Sequence, residues 1–240
     1  MSASPEGGLR TLVTGGAGAL GQGIVRALEG RGDRVICLDR TAPAEGAHIC
    51  ADLADPGSVQ AAMAEVAARF GGLDVLVHTA GILRPAAFLD ISEGDMRAHL
   101  DVNVMGALRV CQPAARMMIG SGGGRIVLVT SIHGQVGVPE RGAYAASKGA
   151  VAALARVMAV ELAQHRIRVN VLAPGAVNAG MTPDPATRGG WVAATPSKRV
   201  AHMEEIARVA AMLTSEDASF INGQIIAVDG GASTLRVFGP

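Results

Sequence analysis

Thr14-Gly15-Gly16-Ala17-Gly18-Ala19-Leu20-Gly21 is the stretch that decides the fold. A short apolar run, Thr11–Val13, leads into it, and a helical pattern, Gly21–Glu29, leads out. Glycines at a strand–turn–helix junction let the backbone approach a pyrophosphate, whose charge then sits at the helix N-terminus. A glycine-rich loop alone also suits any tight turn, so the context has to separate the two readings. Here an acid, Asp39, ends the second apolar run at about the interval expected of a residue that meets an adenosine ribose. The loop therefore reads as dinucleotide-binding, with Gly15, Gly18, Ala19 and Leu20 in contact with the ligand. Asp39 suits a free ribose diol and repels a 2′-phosphate, and the loop holds no Lys or Arg for such a phosphate. Arg40 is the one dissenting residue, since its guanidinium can swing onto a phosphate. NAD is favoured over NADP.

Outward from the loop, β-branched runs alternate with Ala-rich helical stretches. Further strands are expected at Val35–Asp39, His48–Ala51, Val75–His78, Ile126–Thr130, Val169–Leu172 and Ile225–Val228. Helices are expected at Ser58–Phe70, Ser92–Met118, Tyr144–Ala163 and Met203–Leu213. Gly30 is the natural residue to close the first helix, and Asp55-Pro56 starts the second. Near-continuous apolar runs are the mark of central parallel strands covered on both faces. The pattern predicts an α/β fold: a Rossmann-like, doubly wound parallel sheet of about seven strands in a single domain spanning 1–240. The stretch 175–200 has no clear periodicity, and a loop that long in a compact domain reads as a lid, placed at about 177–200.

Composition narrows the partners. Hydrophobic residues are 49%, charged residues 18% and aromatics 2% of the 240 residues, so the core must be aliphatic. The formal net charge is +0, which predicts neither a nucleic-acid nor a membrane surface. Cys37, Cys50 and Cys111 lie apart in apolar runs and read as buried, reduced thiols, with no metal site. Met1–Gly8 is polar, unlike a signal peptide, and the richest apolar run, Gly149–Ala163, is broken by Arg156 and Glu161. A cytoplasmic protein is expected.

The chemistry is carried by Tyr144-Ala145-Ala146-Ser147-Lys148 at the front of a helical pattern. Residues i and i+4 share a helix face, so phenol and ammonium can enter one cleft, and the cation favours phenolate. Such a spacing also arises by chance on solvated helices. Ser131, thirteen positions earlier, ends a strand where a carboxyl-end loop meets the cleft of an open sheet.

Together these residues resemble the short-chain dehydrogenase/reductase family in its ordinary single-domain branch. The resemblance runs through Thr14–Gly21, Asp52-Leu53, Ala80-Gly81, Asn103-Val104-x-Gly106, Ser131, Tyr144…Lys148, Pro174-Gly175 and Val228-Asp229-Gly230-Gly231. It implies a catalytic set of Asn103, Ser131, Tyr144 and Lys148. Tyr144 exchanges a proton with the substrate oxygen, and Ser131 orients that oxygen. Lys148 lowers the tyrosine pKa and holds the nicotinamide ribose, and Asn103 holds a relay water. The same resemblance implies cofactor contacts from Asp52, Leu53, Ala80, Gly81, Asn103, Tyr144, Lys148, Pro174, Gly175 and Val177, besides the glycine loop, Asp39 and Arg40. Four positions depart from the family pattern. Asn-Asn-Ala-Gly reads His78-Thr79-Ala80-Gly81, a loop glycine is Ala19, and a threonine that grips the nicotinamide is Ala179, for which Asn178 or Thr182 can substitute.

The family layout implies a substrate wall at 82–84, 133–141 and the lid, with Arg84, His133, Arg141 and Trp191 as candidate contacts. Each has a blander reading as a loop charge or a lid anchor. The implied activity is an NAD-dependent interconversion of a small secondary alcohol (polyol, sugar, hydroxy acid or cyclic alcohol) and its ketone. Few charges in the lid speak against carrier-protein thioesters. Ala80–Arg84 also resembles a dihydrodiol dehydrogenase that forms an aromatic diol, which frames an alternative. Of other classes, a non-catalytic NAD-sensing protein normally lacks the tyrosine or lysine. An epimerase of the extended branch needs a further C-terminal domain. The resemblance also implies a homotetramer, joined through the Ser92–Met118 and Tyr144–Ala163 helices, with Ala145, Gly149, Ala152 and Ala153 permitting close approach. The tail from Ala232 is expected to pack on a neighbouring subunit or to fray.

Overall fold

Leu12 and Val13 are both fully buried, yet they point into different layers. The same alternation recurs at Leu76/Val77 and Leu128/Val129, so each strand feeds two cores at once and its period of two vanishes from the sequence. In the computed structural model, residues 8–178 and 185–235 are described. Among them a seven-stranded, all-parallel sheet runs in the order β3-β2-β1-β4-β5-β6-β7. Its strands are β1 (Arg10–Thr14), β2 (Arg34–Asp39), β3 (Ala47–Cys50), β4 (Val75–His78), β5 (Gly124–Val129), β6 (Ile167–Pro174) and β7 (Ile225–Val228). The doubly wound Rossmann-like reading holds. The strand order reverses between β1 and β4, where the carboxyl edge of such a sheet opens a crevice.

One core packs α2 (Pro56–Phe70), α4 (Gly106–Gly120) and α5 (Gly142–Leu162) on the sheet. The other packs α1 (Ala19–Gly30) and α7 (Met203–Leu213) on the opposite face. Each fully buried Leu, Ile or Val contributes about 1.5–3 kcal/mol. Arg31 ties the end of α1 to α7, pairing with Asp33 and donating to the Ala211 carbonyl and the Thr214 hydroxyl.

Four expectations need correction. Gly30 is the last residue of α1, and the chain turns at Gly32 (φ 97°), because Arg31 still keeps a right-handed backbone. By contrast α2 starts as expected, with the Asp55 carboxylate accepting from Gly57 N and Pro56 in the first turn. The long pattern Ser92–Met118 is not one helix. It divides into α3 (Glu93–His99), a π-helical segment Leu100–Met105 and α4. Third, Cys50 is exposed, because it ends an edge strand with a partner on one side only; Cys37 and Cys111 are buried. Fourth, the segment 175–200 is not all loop, since it contains α6 (Pro185–Ala194).

The lid reading gains a frame nonetheless. Asn178 N donates to Ala201 O (2.8 Å) and Ala201 N donates to Ala176 O (2.9 Å), so the two feet are joined. Among the described residues one helix, Gly142–His165, is long and apolar enough to cross a membrane, with mean hydropathy 1.2. Its inner residues Val151, Ala155 and Ala159 belong to the core, which accounts for that apolarity.

Candidate active site

The cofactor end is shaped by what glycine permits. Gly15 has φ 69°, and a Cβ there would lie 2.7 Å from the Ala80 backbone. A Cβ on Gly21 would lie 2.1 Å from the Gly15 carbonyl oxygen. These two glycines let the loop fold tightly over the end of β4. Gly18, whose Cβ would meet nothing closer than 3.3 Å, is the N-cap of α1 and makes no side-chain cap. The first amides of α1 therefore present donors and the positive end of the helix to an anion. The groove beside them is lined by Ala17, Gly18, Asp39 and Thr41. Asp39 sits in it as expected, accepting from Ala17 N and Thr41 N (3.1 Å each). Arg40 leans instead toward Asp52, at 4.0 Å, and is largely exposed. Asp52 also caps its own turn through Ala54 N. The Leu53 side chain is turned into the core against Gly106, so an adenine contact would have to use its backbone.

The catalytic cluster forms where β5 and α5 meet. Ser131 follows β5 and is buried, its hydroxyl accepting from His133 N (3.2 Å). Tyr144 and Lys148 lie one turn apart in α5, both buried, with the Lys148 nitrogen 5.6 Å from the phenol ring centroid. Lys148 donates to Val129 O (3.1 Å), and burial pushes its ammonium down to about 8. Opposing effects act on the Tyr144 phenol. Burial raises its pKa, opposed by the Ser131 hydroxyl and the Arg141 charge, because a phenolate inside the closed wall loses its hydration.

Asn103 rides on the π-helical segment, which turns it inward. Its Oδ1 accepts from Ile82 N (2.8 Å), and its Nδ2 donates to Ile82 O (3.1 Å) and to the Ser147 hydroxyl (2.9 Å). The amide is thus a brace between the loop after β4 and α5, with one acceptor lone pair left for a water. A Cβ on Gly81 would lie 3.1 Å from both Asn103 Oδ1 and Lys148 Nζ, so Gly81 keeps this corner open. Pro174-Gly175 lie against Asp229, where a Gly175 Cβ would come within 2.8 Å, and Val177 pairs with Ala201 at the foot of the lid.

Of the four candidate substrate contacts, three converge. His133 stands edge-on to Tyr144, with ring centroids 6.0 Å apart, and stacks on Trp191 at 5.3 Å and 24°. Trp191 thus lies against the catalytic wall. Arg141, the N-cap of α5, follows Glu140, whose φ of 61° is in the left-handed region. Arg84 departs: its guanidinium pairs with Asp95 at the surface, and only its backbone N turns inward, to His99 Nε2. Ala179 and Thr182, considered for the nicotinamide grip, lie outside the described residues.

One histidine, His99, escaped the sequence reading, and a second, His78, was noted only as a departure from the family pattern. His99 is fully buried 6.5 Å from the Tyr144 ring, and nothing in a helical stretch marks it. His78 is buried under the loop, its Nδ1 2.8 Å from the Thr14 hydroxyl and its Nε2 without a partner. Burial and the Lys148 charge hold it down at about 3. Its departure from the family's asparagine was the available signal.

Comparison with known proteins agrees with this geometry. Residues 15–233 match the family model described as Enoyl-(Acyl carrier protein) reductase. Oxidoreductase UcpA of Escherichia coli K12 is 34% identical over 94% of this chain and 95% of its own length. D-threitol dehydrogenase of Mycolicibacterium smegmatis is 35% identical over 92% and 91%. A gluconate 5-dehydrogenase from Burkholderia cenocepacia, solved with NADP and tartrate, superposes with TM-score 0.90 at 32% identity, over 95% of this chain and 96% of that one. The chain belongs to the short-chain dehydrogenase/reductase family, and it is an NAD(P)-dependent oxidoreductase acting on CH–OH groups.

Proposed function

We propose that the protein interconverts a small secondary alcohol and its ketone with NAD as the hydride carrier. The observation that carries this is the gathering of Ser131, Tyr144 and Lys148 where the carboxyl end of β5 meets the first turns of α5, beside a loop shaped for a pyrophosphate. The bound nicotinamide supplies or takes the hydride. The chain's own residues orient the substrate and manage the proton. Tyr144 passes its hydroxyl proton to the ketone oxygen or takes it from the alcohol. Ser131 donates a hydrogen bond to the same oxygen. Lys148, close under the phenol, favours its ionised form when charged.

Asp39 supports NAD. It already accepts two backbone N–H bonds in the adenosine groove, so a 2′-phosphate there would meet a carboxylate at close range. The Burkholderia relative, solved with NADP, shows that the same fold also takes the phosphorylated cofactor. The names of the relatives, a polyol and a sugar-acid dehydrogenase, support a small hydroxylated substrate. A homotetramer in the cytoplasm completes the reading. Ala152 turns inward, Ala145 and Gly149 are half-buried, and Ala153, Val157 and Val160 are exposed; the two valines are exposed hydrophobics suited to burial against a second copy.

The test is titration of the purified protein with NADH and NADPH, followed by a screen of small alcohols and ketones with the tighter cofactor. NADH preference with turnover that Tyr144→Phe abolishes supports the reading. NADPH preference overturns the cofactor assignment. Tight NADH binding with no turnover across the panel favours an NAD-sensing protein.

A further inference from the structure

We infer that Arg141 and His133 form a carboxylate-binding corner beside Tyr144, so that the substrate is a short hydroxy acid and its keto acid. The inference rests on the dehydrogenase reading and names its substrate class.

Arg141 differs from the ion-paired arginines of the fold. Arg10, Arg31, Arg84, Arg109 and Arg199 each pair with a carboxylate. Among the described residues no carboxylate lies within ion-pair distance of Arg141. Among the described residues its side chain makes one hydrogen bond, a long one from Nη1 to Glu140 O (3.3 Å), while its Nε is buried without a partner. The left-handed backbone of Glu140, whose carbonyl also accepts from Ala86 N (3.2 Å), fixes where α5 begins and hence where this guanidinium starts.

His133 offers the second donor. Its Nδ1 is also buried without a partner. The ring is held between Tyr144 and the Trp191 indole, so the nitrogen has a set direction. Burial, and then the Arg141 charge, push the imidazole down to about 4. The ring is neutral near pH 7, and the tautomer protonated at Nδ1 donates one hydrogen bond. Arg141 is the N-cap residue of α5, three residues before Tyr144 in the same helix.

Two buried donor atoms, Arg141 Nε and His133 Nδ1, have no partner among the described residues, and the half-exposed guanidinium carries a charge that no described carboxylate meets. A hydroxyl could occupy one donor but would leave the guanidinium charge uncompensated. A planar carboxylate supplies two acceptor oxygens and the missing charge together. Because Arg141 precedes Tyr144 by three residues, about one helical turn, the carboxylate must lie close to the reacting carbon. A short acid fits this spacing.

The experiment measures kcat/KM with NAD for matched pairs sharing the same alcohol carbon: 3-hydroxybutyrate against its methyl ester, and lactate against lactamide. In parallel, malonate is titrated into the NADH complex while the fluorescence of Trp191, the sole tryptophan, is followed. The expected result is a preference of at least about tenfold for each acid, and a saturable malonate response. Arg141→Gln should lose both, and Arg141→Lys should keep part of each. Melting temperature and NADH affinity confirm that the variants are folded. Equal turnover of acid and neutral partner, with no malonate response, overturns the carboxylate corner and leaves the dehydrogenase reading standing. A malonate response that Arg141→Gln removes, with no turnover of any alcohol, upholds the corner and overturns the dehydrogenase reading. Failure of both readouts overturns both.

Discussion

The two ends of the cleft are built from different materials. At the cofactor end the ligand would meet main chain: the loop Gly15–Leu20, the first amides of α1, and one carboxylate, Asp39, held by two backbone N–H groups. At the substrate end it would meet side chains alone, Ser131, His133, Arg141, Tyr144 and Trp191, drawn from the turn after β5, the start of α5 and α6. A backbone site tolerates little change, since a Cβ at Gly15 or Gly21 collides with neighbouring backbone. A side-chain site can be rewritten without disturbing the sheet, which is how one fold can serve many substrates.

The comparison can be broken most directly at Tyr144. Tyr144→Phe removes the proton-transfer group at the substrate end and nothing from the phosphate loop. We expect turnover to fall by roughly a hundred- to ten-thousand-fold, while NADH affinity by cofactor emission changes only a few-fold. Equal losses of binding and turnover would show that the two ends are not separable.

Next in size is Asp39→Ala, which removes the one charged side chain that the backbone loop holds at its ribose end. Loss of hydrogen bonds to a charged group costs about 1.5–3 kcal/mol, so the ratio of NADH to NADPH affinity should drop by at least about tenfold. An unchanged ratio would mean that Asp39 only braces Ala17 and Thr41. Gly21→Ala probes the loop itself. Its Cβ would sit 2.1 Å from Gly15 O, and relieving that overlap should cost about 2 kcal/mol. A melting temperature lower by about 6 °C is expected, with weaker NADH binding, whereas Gly18→Ala should lower it less.

The smallest effect sharpens the boundary between the ends, at His78. Its imidazole is held neutral in the folded chain, with a pKa of about 3, and gains a proton near pH 6.5 once unfolded. The unfolded state then binds more protons below pH 6.5, so stability falls as pH drops through that range. At pH 5 this costs about 2 kcal/mol. His78→Asn should therefore shrink the loss of melting temperature between pH 7 and pH 5 by about 5 °C. An unaltered acid limb would show that His78 is already protonated or solvated.

Much of the site was legible because its parts are short and local. Tyr144 and Lys148 share a face by helical spacing alone, and Asp39 ends a strand that parallel pairing places beside β1. The lid was legible only as an interruption, since α6 has too few residues to show a helical period in a stretch rich in Gly, Pro and Ala. Arg84 and Arg141 looked alike as loop cations, and only the position of Asp95 sends one to the surface and leaves the other unpaired. The burial acting on the tyrosine was hidden for a related reason. Spacing reveals the neighbouring lysine, whereas desolvation depends on every atom that excludes water.

By itself the sequence determined the parallel α/β architecture, the dinucleotide loop and the identity of the proton-transfer group. Each depends on backbone geometry over a few residues, which glycine spacing, strand runs and helical period encode directly. Only the tertiary structure decided that Asn103 sits on a π-helical turn braced to Ile82, that His78 and His99 are buried beside the catalytic residues, and that His133 is clasped between Tyr144 and Trp191. Those facts follow from which distant segments pack together, and from the water they exclude.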